Sequence, residues 1–367
     1  MKSTRMIKII GLFPLTGNGG IASWTKKFLS TFPDSRYKVY PINVAPDYRT
    51  GDDSILYRAL TGFKTLIRVL HEIKEVILRE KIDILHTTTS GNIGSYRDLV
   101  VAKLCRKYGI KCVMHCRYGC ITEDIRSKGL VGLLVRRAMA LYDQIWVLDS
   151  RSYNTLKNIP HLSSKVYVTP NSIDINEQKD LTPKTYKRIV FVGNLIPSKG
   201  IYELVEACTR IDVRLDIVGP GTDDVIKKIK AIAFDKMGKS IFIHGRTSNA
   251  DAVNVIKKSD IVALPTYYPS EAFPISIIEA MSLTKMVISC PRAAIEDMLT
   301  GLDGVSCGIL VKPQSSDEIV SAIIWCQTNP IEADMMCQRA YDKVRLAYSK
   351  EVVYDIYREN YNRLVKS

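Results

Sequence analysis

The sequence predicts an α/β protein with two domains, each built on a parallel β-sheet that helices cover on both faces. Apolar segments of strand length alternate with longer segments of helical periodicity along the chain, and this alternation starts again at Arg188. The length of 367 residues also exceeds the usual size of a single domain. Strands and helices that alternate in this way form parallel sheets buried on both faces.

The first series of elements covers the N-terminal half. Its strands are short runs rich in Ile, Val and Leu, and its helices repeat apolar residues every three or four positions. The expected strands are 6–13, 39–44, 82–86, 111–115, 144–148 and 165–169. The expected helices begin after Gly20 and then cover 60–81, 99–108 and 130–141.

The second series follows a polar stretch, 170–185, which is predicted to link domains 1–180 and 181–349. Its expected strands are 188–192, 214–218, 241–244, 261–265, 287–289 and 308–310. Its expected helices are 202–209, 222–233, 250–257, 275–283, 317–326, 332–348 and 351–364. Because open α/β sheets bind ligands at the carboxyl ends of their strands, the cleft between the domains is the expected site.

Basic residues are concentrated in the first half. Residues 1–180 hold 28 Lys and Arg against 16 Asp and Glu, whereas the rest holds 24 against 22. One domain is therefore expected to meet an anionic partner, for which a membrane surface, a lipid diphosphate and nucleic acid are candidates; general solubility is the alternative. No apolar stretch approaches the roughly 20 residues that cross a bilayer.

Nine cysteines lack the spacing of a disulfide framework, which favours a reducing cytosol. Cys112, Cys116 and Cys120, with His115 among them, suggest a metal site. Their spacing matches no common zinc pattern, so free thiols in or beside a strand are the favoured interpretation.

The most informative segment contains Glu271 and Glu279. Strand 261–265 precedes it, and Pro274 fits the first position of helix 275–283, where its missing N–H costs nothing. The amides and positive dipole at this helix start suit a phosphate or a group of sugar hydroxyls. A carboxylate at position 279 in an apolar helix needs a partner, which ligand hydroxyls would supply; a solvent-facing glutamate is the alternative.

At this point the sequence resembles the retaining glycosyltransferases of family 4, also called glycosyl transferases group 1. Glu271 and Glu279 match that family's E-x7-E signature. Four other groups of residues resemble its motifs in the family's order, and they are 17–20, 170–174, 192–200 and 259–265, followed by helices in 339–365. The resemblance implies the GT-B fold, in which two Rossmann-like domains face each other across a cleft and the last helix, about 350–367, completes the first domain.

The resemblance also implies roles for residues of the second domain. Glu271 and the backbone of Ala272 and Phe273 would hold the hydroxyls of the donor sugar. Glu279 would bind the ribose hydroxyls. Lys199 would neutralise the diphosphate as it leaves, and charge stabilisation of this kind is usually a large contribution to catalysis.

In the first domain, Gly19 and Gly20 would let backbone amides approach the diphosphate, with a simple tight turn as the alternative. His115 matches the family's histidine near the reacting sugar, and a core or capping histidine is the alternative. Arg117 is a candidate for the acceptor side.

Two positions depart from the family pattern. Asn194 stands where an arginine that grips the diphosphate is common, so Lys199 is expected to act with another cation, for which Arg246 is a candidate, or to bind the nucleotide more weakly. Ser172 replaces a more usual glycine at the hinge. No Asp-x-Asp lies at a strand end, so neither a metal nor a cofactor is expected, and retention would follow from a same-face substitution assisted by the leaving phosphate.

The expected function is transfer of a sugar from a UDP- or GDP-sugar to a lipid-linked glycan in bacterial surface polysaccharide synthesis, as in capsule, O-antigen or lipopolysaccharide. The basic first domain suggests a cytoplasmic protein attached peripherally to the anionic inner face of the plasma membrane, without a nucleic-acid partner. A nucleotide-sugar epimerase and a silent nucleotide-binding protein remain alternatives.

Overall fold

The computed structural model describes residues 5–17, 19–45, 55–91, 94–175 and 178–366. It divides into two compact units. The first consists of Met1–Pro170 together with Tyr354–Ser367, and the second is Asn171–Val353. Each unit is described separately below.

The first unit contains a sheet of six parallel strands, which are β1 (Ile7–Phe13), β2 (Tyr37–Asn43), β3 (Ile84–Thr89), β4 (Lys111–Cys116), β5 (Gln144–Val147) and β6 (Val166–Val168). Their spatial order is β2-β1-β3-β4-β5-β6. The helices are α1 (Gly20–Thr31), α2 (Ile55–Arg79), α3 (Gly94–Lys107), α4 (Ile121–Arg126), α5 (Leu130–Leu141) and α6 (Ser150–Lys157). Strands β3 and β5 are buried along their whole length, as a sheet covered on both faces requires.

The third strand differs from its prediction, which ended at residue 86. Its last residues are the buried threonines Thr87, Thr88 and Thr89, which pair in register with β4. The prediction stopped before these threonines, although β-branched residues favour strands. Helices α4 and α6 were also not predicted, since each spans only about two turns and shows little periodicity.

The second unit also has six parallel strands, namely β7 (Arg188–Val192), β8 (Arg214–Val218), β9 (Ile241–Gly245), β10 (Ile261–Leu264), β11 (Met286–Ser289) and β12 (Ile309–Leu310). Their order is β12-β11-β10-β7-β8-β9. The helices are α7 (Ile201–Thr209), α8 (Asp223–Ala233), α9 (Asn249–Lys258), α10 (Ile275–Ser282), α11 (Ile295–Met298), α12 (Ser316–Thr328) and α13 (Pro330–Lys343), followed by a π-helical turn (Val344–Tyr348). The predicted α/β class with two parallel sheets is therefore confirmed.

The division between the units falls after Pro170, whereas the sequence suggested residue 180. Residues beyond Pro170 bond to the second unit. The Asn171 amide Nδ2 donates to the Phe273 carbonyl at 2.9 Å, and the Asp180 amide donates to the Thr284 hydroxyl at 2.9 Å. The last helix, α14 (Lys350–Lys366), belongs to the second unit up to Val353 and to the first from Tyr354 onward.

The strand order places a topological switch point in each sheet. In the second unit the chain runs from β7 outward through β8 to β9 and then returns to β10 on the other side of β7. The crevice at the carboxyl ends of β7 and β10 is therefore where a parallel sheet of this kind binds its ligand. The equivalent point in the first unit lies between β1 and β3.

Candidate active site

The loop after β7 owes its shape to close backbone contacts. Gly193 has a φ of 156°, and Gly219, which follows β8, approaches it so closely that a Cβ at position 219 would lie 2.0 Å from the Gly193 carbonyl oxygen. The Gly193 amide donates to the Val218 carbonyl at 3.0 Å. The loop after β7 is thus in direct backbone contact with the end of β8.

A short 3-10 helix, Pro197–Lys199, then carries Lys199 to the switch point. It ends at Gly200, whose φ of 74° lets α7 begin at the next residue. A Cβ at Gly200 would lie 2.2 Å from the Pro265 carbonyl, so the loop after β7 touches the end of β10 here. The Tyr267 amide donates to the Ser198 carbonyl at 2.8 Å and joins the two loops.

Lys199 and Glu271 form an ion pair across this junction. The Lys199 Nζ lies 3.0 Å from the Glu271 Oε2, and the two side chains are only 16% and 12% exposed. The carboxylate oxygen lacks hydrogen-bond geometry to any group in the described chain, so the contact is ionic rather than a directed hydrogen bond. The Lys199 ammonium also lies 5.9 Å from the centre of the Tyr268 ring.

Two further contacts hold the loop that presents Glu271. The Glu271 amide donates to the Tyr268 carbonyl at 3.0 Å, which closes a turn. Arg292, in the loop after β11, donates from its guanidinium to the Pro269 carbonyl. Sequence reasoning missed Arg292, although its position just beyond a strand end was a signal that could have singled it out.

The predicted sugar-binding amides lie immediately beyond Glu271. Within the described residues, the amides of Ala272 and Phe273 donate to no protein group, while their carbonyls accept from Ala294 and Asn171. Pro274 occupies the N-cap with an extended ψ of 121°, not the first helical position that was predicted, and α10 has no side-chain cap. Free amides and an uncapped helix start both favour a polyhydroxyl or anionic ligand.

Glu279 lies in the middle of α10 and is 7% exposed. The alternative of a solvent-facing glutamate is therefore wrong. Burial of a carboxylate in an apolar helix is costly without polar partners, so this position is consistent with a binding role, which stays a prediction.

Asn194 and Arg246 are both exposed at the carboxyl edge of the second sheet. Asn194 lies in the loop after β7, and Arg246 follows β9, two strands away. Because neighbouring strands lie roughly 5 Å apart, the ends of β7 and β9 are about 10 Å apart. An extended arginine side chain reaches across most of this distance. Whether Arg246 supplies the charge missing at Asn194 stays a prediction.

Glu203 is a second carboxylate near the junction that sequence reasoning did not select. It lies in the first turn of α7 and accepts a hydrogen bond from the Tyr267 hydroxyl at 3.2 Å. Burial raises the pKa of Tyr267, and the Glu203 charge raises it further. Glu203 therefore braces the loop that carries Glu271.

In the first unit, Gly19 is the N-cap of α1 and Gly20 is its first residue. A Cβ at either position would meet nothing within 4 Å, so packing against protein does not require glycine there. Helix α1 has neither a side-chain cap nor an acidic residue in its first turn. These features leave its positive end available to an anion, and the assignment to a diphosphate stays a prediction.

His115 is fully buried on β4 and contacts Arg117, which is 6% exposed. Burial, with the charge of Arg117, lowers the pKa of His115 well below its usual range. Burial likewise lowers the pKa of Arg117 to about 10. His115 therefore lies in the core of the first unit, and its place near a reacting sugar stays a prediction.

The three cysteines of the candidate metal group do not form a metal site in the described structure. Cys112 and Cys116 are buried, Cys120 is partly exposed, and all three are free thiols. Across the described ranges no group of three metal-ligating side chains converges. Among the described helices, none is both long and apolar enough to cross a membrane.

The comparisons with known proteins agree with this geometry. Residues 172–343 match the family described as glycosyl transferases group 1. The chain is 26% identical over 164 residues to the D-rhamnosyltransferase WbpZ of Pseudomonas aeruginosa, covering 44% of this chain and 41% of WbpZ. It is 24% identical over 166 residues to a putative teichuronic acid biosynthesis glycosyltransferase, TuaC of Bacillus subtilis, covering 45% of this chain and 39% of TuaC. These alignments span about two fifths of each relative.

A solved structure, HepE of Anabaena in complex with UDP, superposes with a TM-score of 0.72 and 16% identity, covering 97% of this chain and 100% of that chain. At this identity the likeness shows the fold alone, and it confirms the predicted GT-B fold. That the two sheets face a common cleft stays a prediction. Residues 172–343, slightly less than half of the chain, are thus similar to the glycosyl transferases group 1 family.

Proposed function

We propose that this protein is a retaining, metal-independent glycosyltransferase of family 4. It transfers a sugar from a UDP- or GDP-sugar to a lipid-linked glycan during synthesis of a bacterial surface polysaccharide. The observation that carries the proposal is the Lys199–Glu271 ion pair at the switch point of the second sheet. It brings a cation for the diphosphate beside a carboxylate for the sugar hydroxyls.

The chemistry follows from this arrangement. The Lys199 ammonium and the start of α7 bind the diphosphate and stabilise the negative charge that grows as the glycosidic bond breaks. Glu271 and the amides of Ala272 and Phe273 orient the sugar, and Glu279 accepts hydrogen bonds from the ribose. No carboxylate is assigned as a nucleophile, and the leaving phosphate takes the proton from the attacking hydroxyl on the same face.

The comparisons support the choice of substrates. HepE is a structural neighbour with bound UDP, and both named relatives are glycosyltransferases, one of which is ascribed to teichuronic acid synthesis. A nucleoside diphosphate and a surface glycan are therefore the substrates to test first.

The experiment combines binding with transfer, both in EDTA. Calorimetry with UDP and GDP identifies the base, and radiolabelled sugar nucleotides with a bacterial membrane extract identify transfer. Label in the lipid fraction supports the proposal, isomerised sugar without acceptor supports an epimerase, and binding without turnover supports a silent protein. Loss of all activity in EDTA, restored by Mg²⁺, contradicts the metal-independent mechanism.

We further infer that the first unit docks on an anionic membrane through one face of α2. Leu60, Phe63 and Ile67 are exposed on this face with Lys64 between them. Residues three and four apart share a helix face, so these side chains form one apolar stripe beside a positive charge, here called the α2 stripe. The excess of basic residues in positions 1–180 complements anionic lipid.

Liposome flotation tests this docking. The protein is expected to float with vesicles containing phosphatidylglycerol and to stay behind with phosphatidylcholine alone. Phe63→Ser with Ile67→Ser should reduce flotation, whereas Phe234→Ser, which removes an exposed phenylalanine from the second unit, should not. Equal binding to both vesicle types, or equal loss in both variants, would refute docking through the α2 stripe.

A further inference from the structure

Two buried histidines on neighbouring strands of the first unit form a continuous hydrogen-bonded chain. His115 Nδ1 lies 3.2 Å from His86 Nε2, and the rings stack with centroids 5.3 Å apart. At one end, His86 Nδ1 lies 2.5 Å from the Tyr361 hydroxyl. At the other, His115 Nε2 lies 3.1 Å from the Arg117 Nη1. Both imidazoles are neutral, since burial and the charge of Arg117 lower the pKa of each.

The direction of every bond in this chain follows from Arg117. A guanidinium donates hydrogen bonds and accepts none, so the His115 Nε2 must present its lone pair. A neutral imidazole carries one proton, so that proton lies on the His115 Nδ1 and is donated to the His86 Nε2. By the same reasoning His86 carries its proton on Nδ1 and donates it to the Tyr361 oxygen.

We propose that Arg117 fixes His115 and His86 in the Nδ1–H tautomer and so makes His115 a hydrogen-bond acceptor at Nε2. Arg117 and His86 are then positioning residues for His115. The role of His115 toward a sugar substrate rests on the proposed function, whereas the assignment of the tautomers is independent of it.

The surroundings hold Arg117 in this position. Its guanidinium carbon lies 4.1 Å from the centre of the Trp24 ring on α1, and its amide donates to the Thr89 carbonyl at 3.0 Å. Arginine stacked on an aromatic face in a dry environment is strongly held. Because Trp24 lies one turn into α1, the helix whose start carries Gly19 and Gly20, Arg117 connects the histidine pair to that loop.

The chain also has a reversed form, in which the His115–His86 and His86–Tyr361 bonds are kept and only the bond from Arg117 is lost. In it, His115 carries its proton on Nε2 and donates to the Thr169 hydroxyl, which lies 3.4 Å away. His86 then donates from Nε2 to His115, and Tyr361 donates its hydroxyl proton to His86. Each imidazole keeps one proton, so the two forms have the same charge. The donor-only guanidinium selects between them.

This polarity decides what His115 can do for the proposed reaction. In the Nδ1–H form, His115 can accept a hydrogen bond at Nε2 from a sugar hydroxyl that replaces Arg117, but it cannot donate one from Nε2 to a sugar oxygen. A role as a hydrogen-bond donor requires Arg117 to leave and the whole chain to reverse. His115 and Arg117 therefore act as one unit, which neither residue indicates alone.

Nitrogen-15 NMR of histidine-labelled protein tests the proposal directly. Long-range proton–nitrogen spectra distinguish protonated from unprotonated ring nitrogens for each of the five histidines. His86 and His115 should both show a protonated Nδ1 and an unprotonated Nε2 at pH 7. Single His86→Gln and His115→Gln variants assign the signals. A protonated Nε2 on His115 in the unmodified protein overturns the proposal.

Two substitutions of Arg117 provide the control. Arg117→Lys retains a donor-only cation and should keep the Nδ1–H signals. Arg117→Met removes the cation and should move both histidines toward the Nε2–H form. If the methionine variant fails to fold, the unmodified protein and the lysine variant still decide the question. Unchanged tautomers in a folded Arg117→Met protein would mean that Arg117 does not set them.

A functional measurement separates this inference from the proposed activity. Arg117→Met should lower the rate of sugar transfer at least tenfold and should change UDP affinity far less, because Lys199, the cation proposed to bind the diphosphate, lies in the second unit. Arg117→Lys should recover part of the rate. If no variant or unmodified protein transfers sugar, the proposed function fails, and the NMR result still stands on its own.

Discussion

Lys199 and Glu271 meet at 3.0 Å, Nζ to Oε2, where the strand order of the second sheet reverses. They are separated by more than seventy residues of sequence, and the pairing of β7 with β10 brings them together. Under the proposed function, a nucleoside diphosphate bound at this edge would compete with Glu271 for the ammonium. The pair would then couple binding of the phosphate to release of the carboxylate.

This coupling predicts opposite effects of removing the two partners. Lys199→Ala should weaken UDP binding by roughly 10- to 100-fold, because a charge-assisted contact is lost and Glu271 then repels the diphosphate. Glu271→Gln should leave UDP affinity unchanged or slightly tighter, since Lys199 is freed, yet should lower transfer by at least 100-fold. Calorimetry and initial rates measure the two effects.

Matched controls are available for both changes. Lys239→Ala and Glu296→Gln alter exposed residues of the same charge in the second unit and should change neither quantity. If Glu271→Gln weakened UDP binding as much as Lys199→Ala does, the carboxylate would be acting on the phosphate, and its assignment to the sugar would be wrong.

Asn194→Arg should strengthen UDP binding about tenfold. The side chain is exposed in the loop after β7, so an arginine fits there without displacing core residues. An added guanidinium near a diphosphate forms bidentate contacts. The gain should shrink as salt rises from 50 to 500 mM, because exposed charges are screened. Asn194→Gln controls for side-chain length, and an equal gain from it would exclude a charge effect.

Gly200→Ala should destabilise the second unit by about 3 kcal/mol or more. Both a φ of 74° and a Cβ only 2.2 Å from the Pro265 carbonyl oppose a side chain there. Gly238→Ala is the control, because its φ of 76° is similar but its Cβ would meet nothing within 4 Å. It should cost only about 1 kcal/mol. Urea unfolding measures both, and equal losses would show that the Pro265 contact contributes nothing.

Strands and helices with strong apolar periodicity lie close to their predicted positions. Elements without such periodicity differ from the prediction or were not predicted. Thr87, Thr88 and Thr89 continue β3 as buried residues paired with β4, whereas the predicted strand ended with the apolar run, at residue 86. The helix at Ile295–Met298 is a single turn, too short to show a repeat.

Some residues of the candidate site could be selected from the sequence, but the contacts between them could not. Glu271 and Lys199 could be selected from motifs, but their contact depends on which strands pair, and pairing between distant segments leaves no local signal. His86 also could not be selected from the sequence, because it lies in no motif. Its importance follows from its contact with His115 on the neighbouring strand. Arg292 was missed because its role depends on a backbone carbonyl.

Stability of the first unit should fall as the pH drops from 7 to 5. Burial and the Arg117 charge lower the pKa of His86 to about 3 and that of His115 well below its usual range. The unfolded chain therefore takes up protons near pH 6.5, while the folded unit does not. The contribution of the two histidines to the free energy of unfolding is fully present well above pH 6.5 and is lost as the pH falls below it. At pH 5 the loss is about 2 kcal/mol per histidine, or about 4 kcal/mol for the pair.

Tryptophan fluorescence reports this unit selectively. Of the three tryptophans, Trp24 and Trp146 lie in the first unit, so a Trp325→Phe background isolates it. Urea unfolding at pH 7, 6 and 5 should show the loss. A His86→Gln variant should show about half of it, and the exposed His71→Gln variant should show all of it. Stability that stays constant across this range would mean that both buried histidines accept a proton in the folded unit, and half of the expected loss would mean that one of them does. Arg117, Tyr357 and Tyr361 are the neighbours that would have to accommodate the charge.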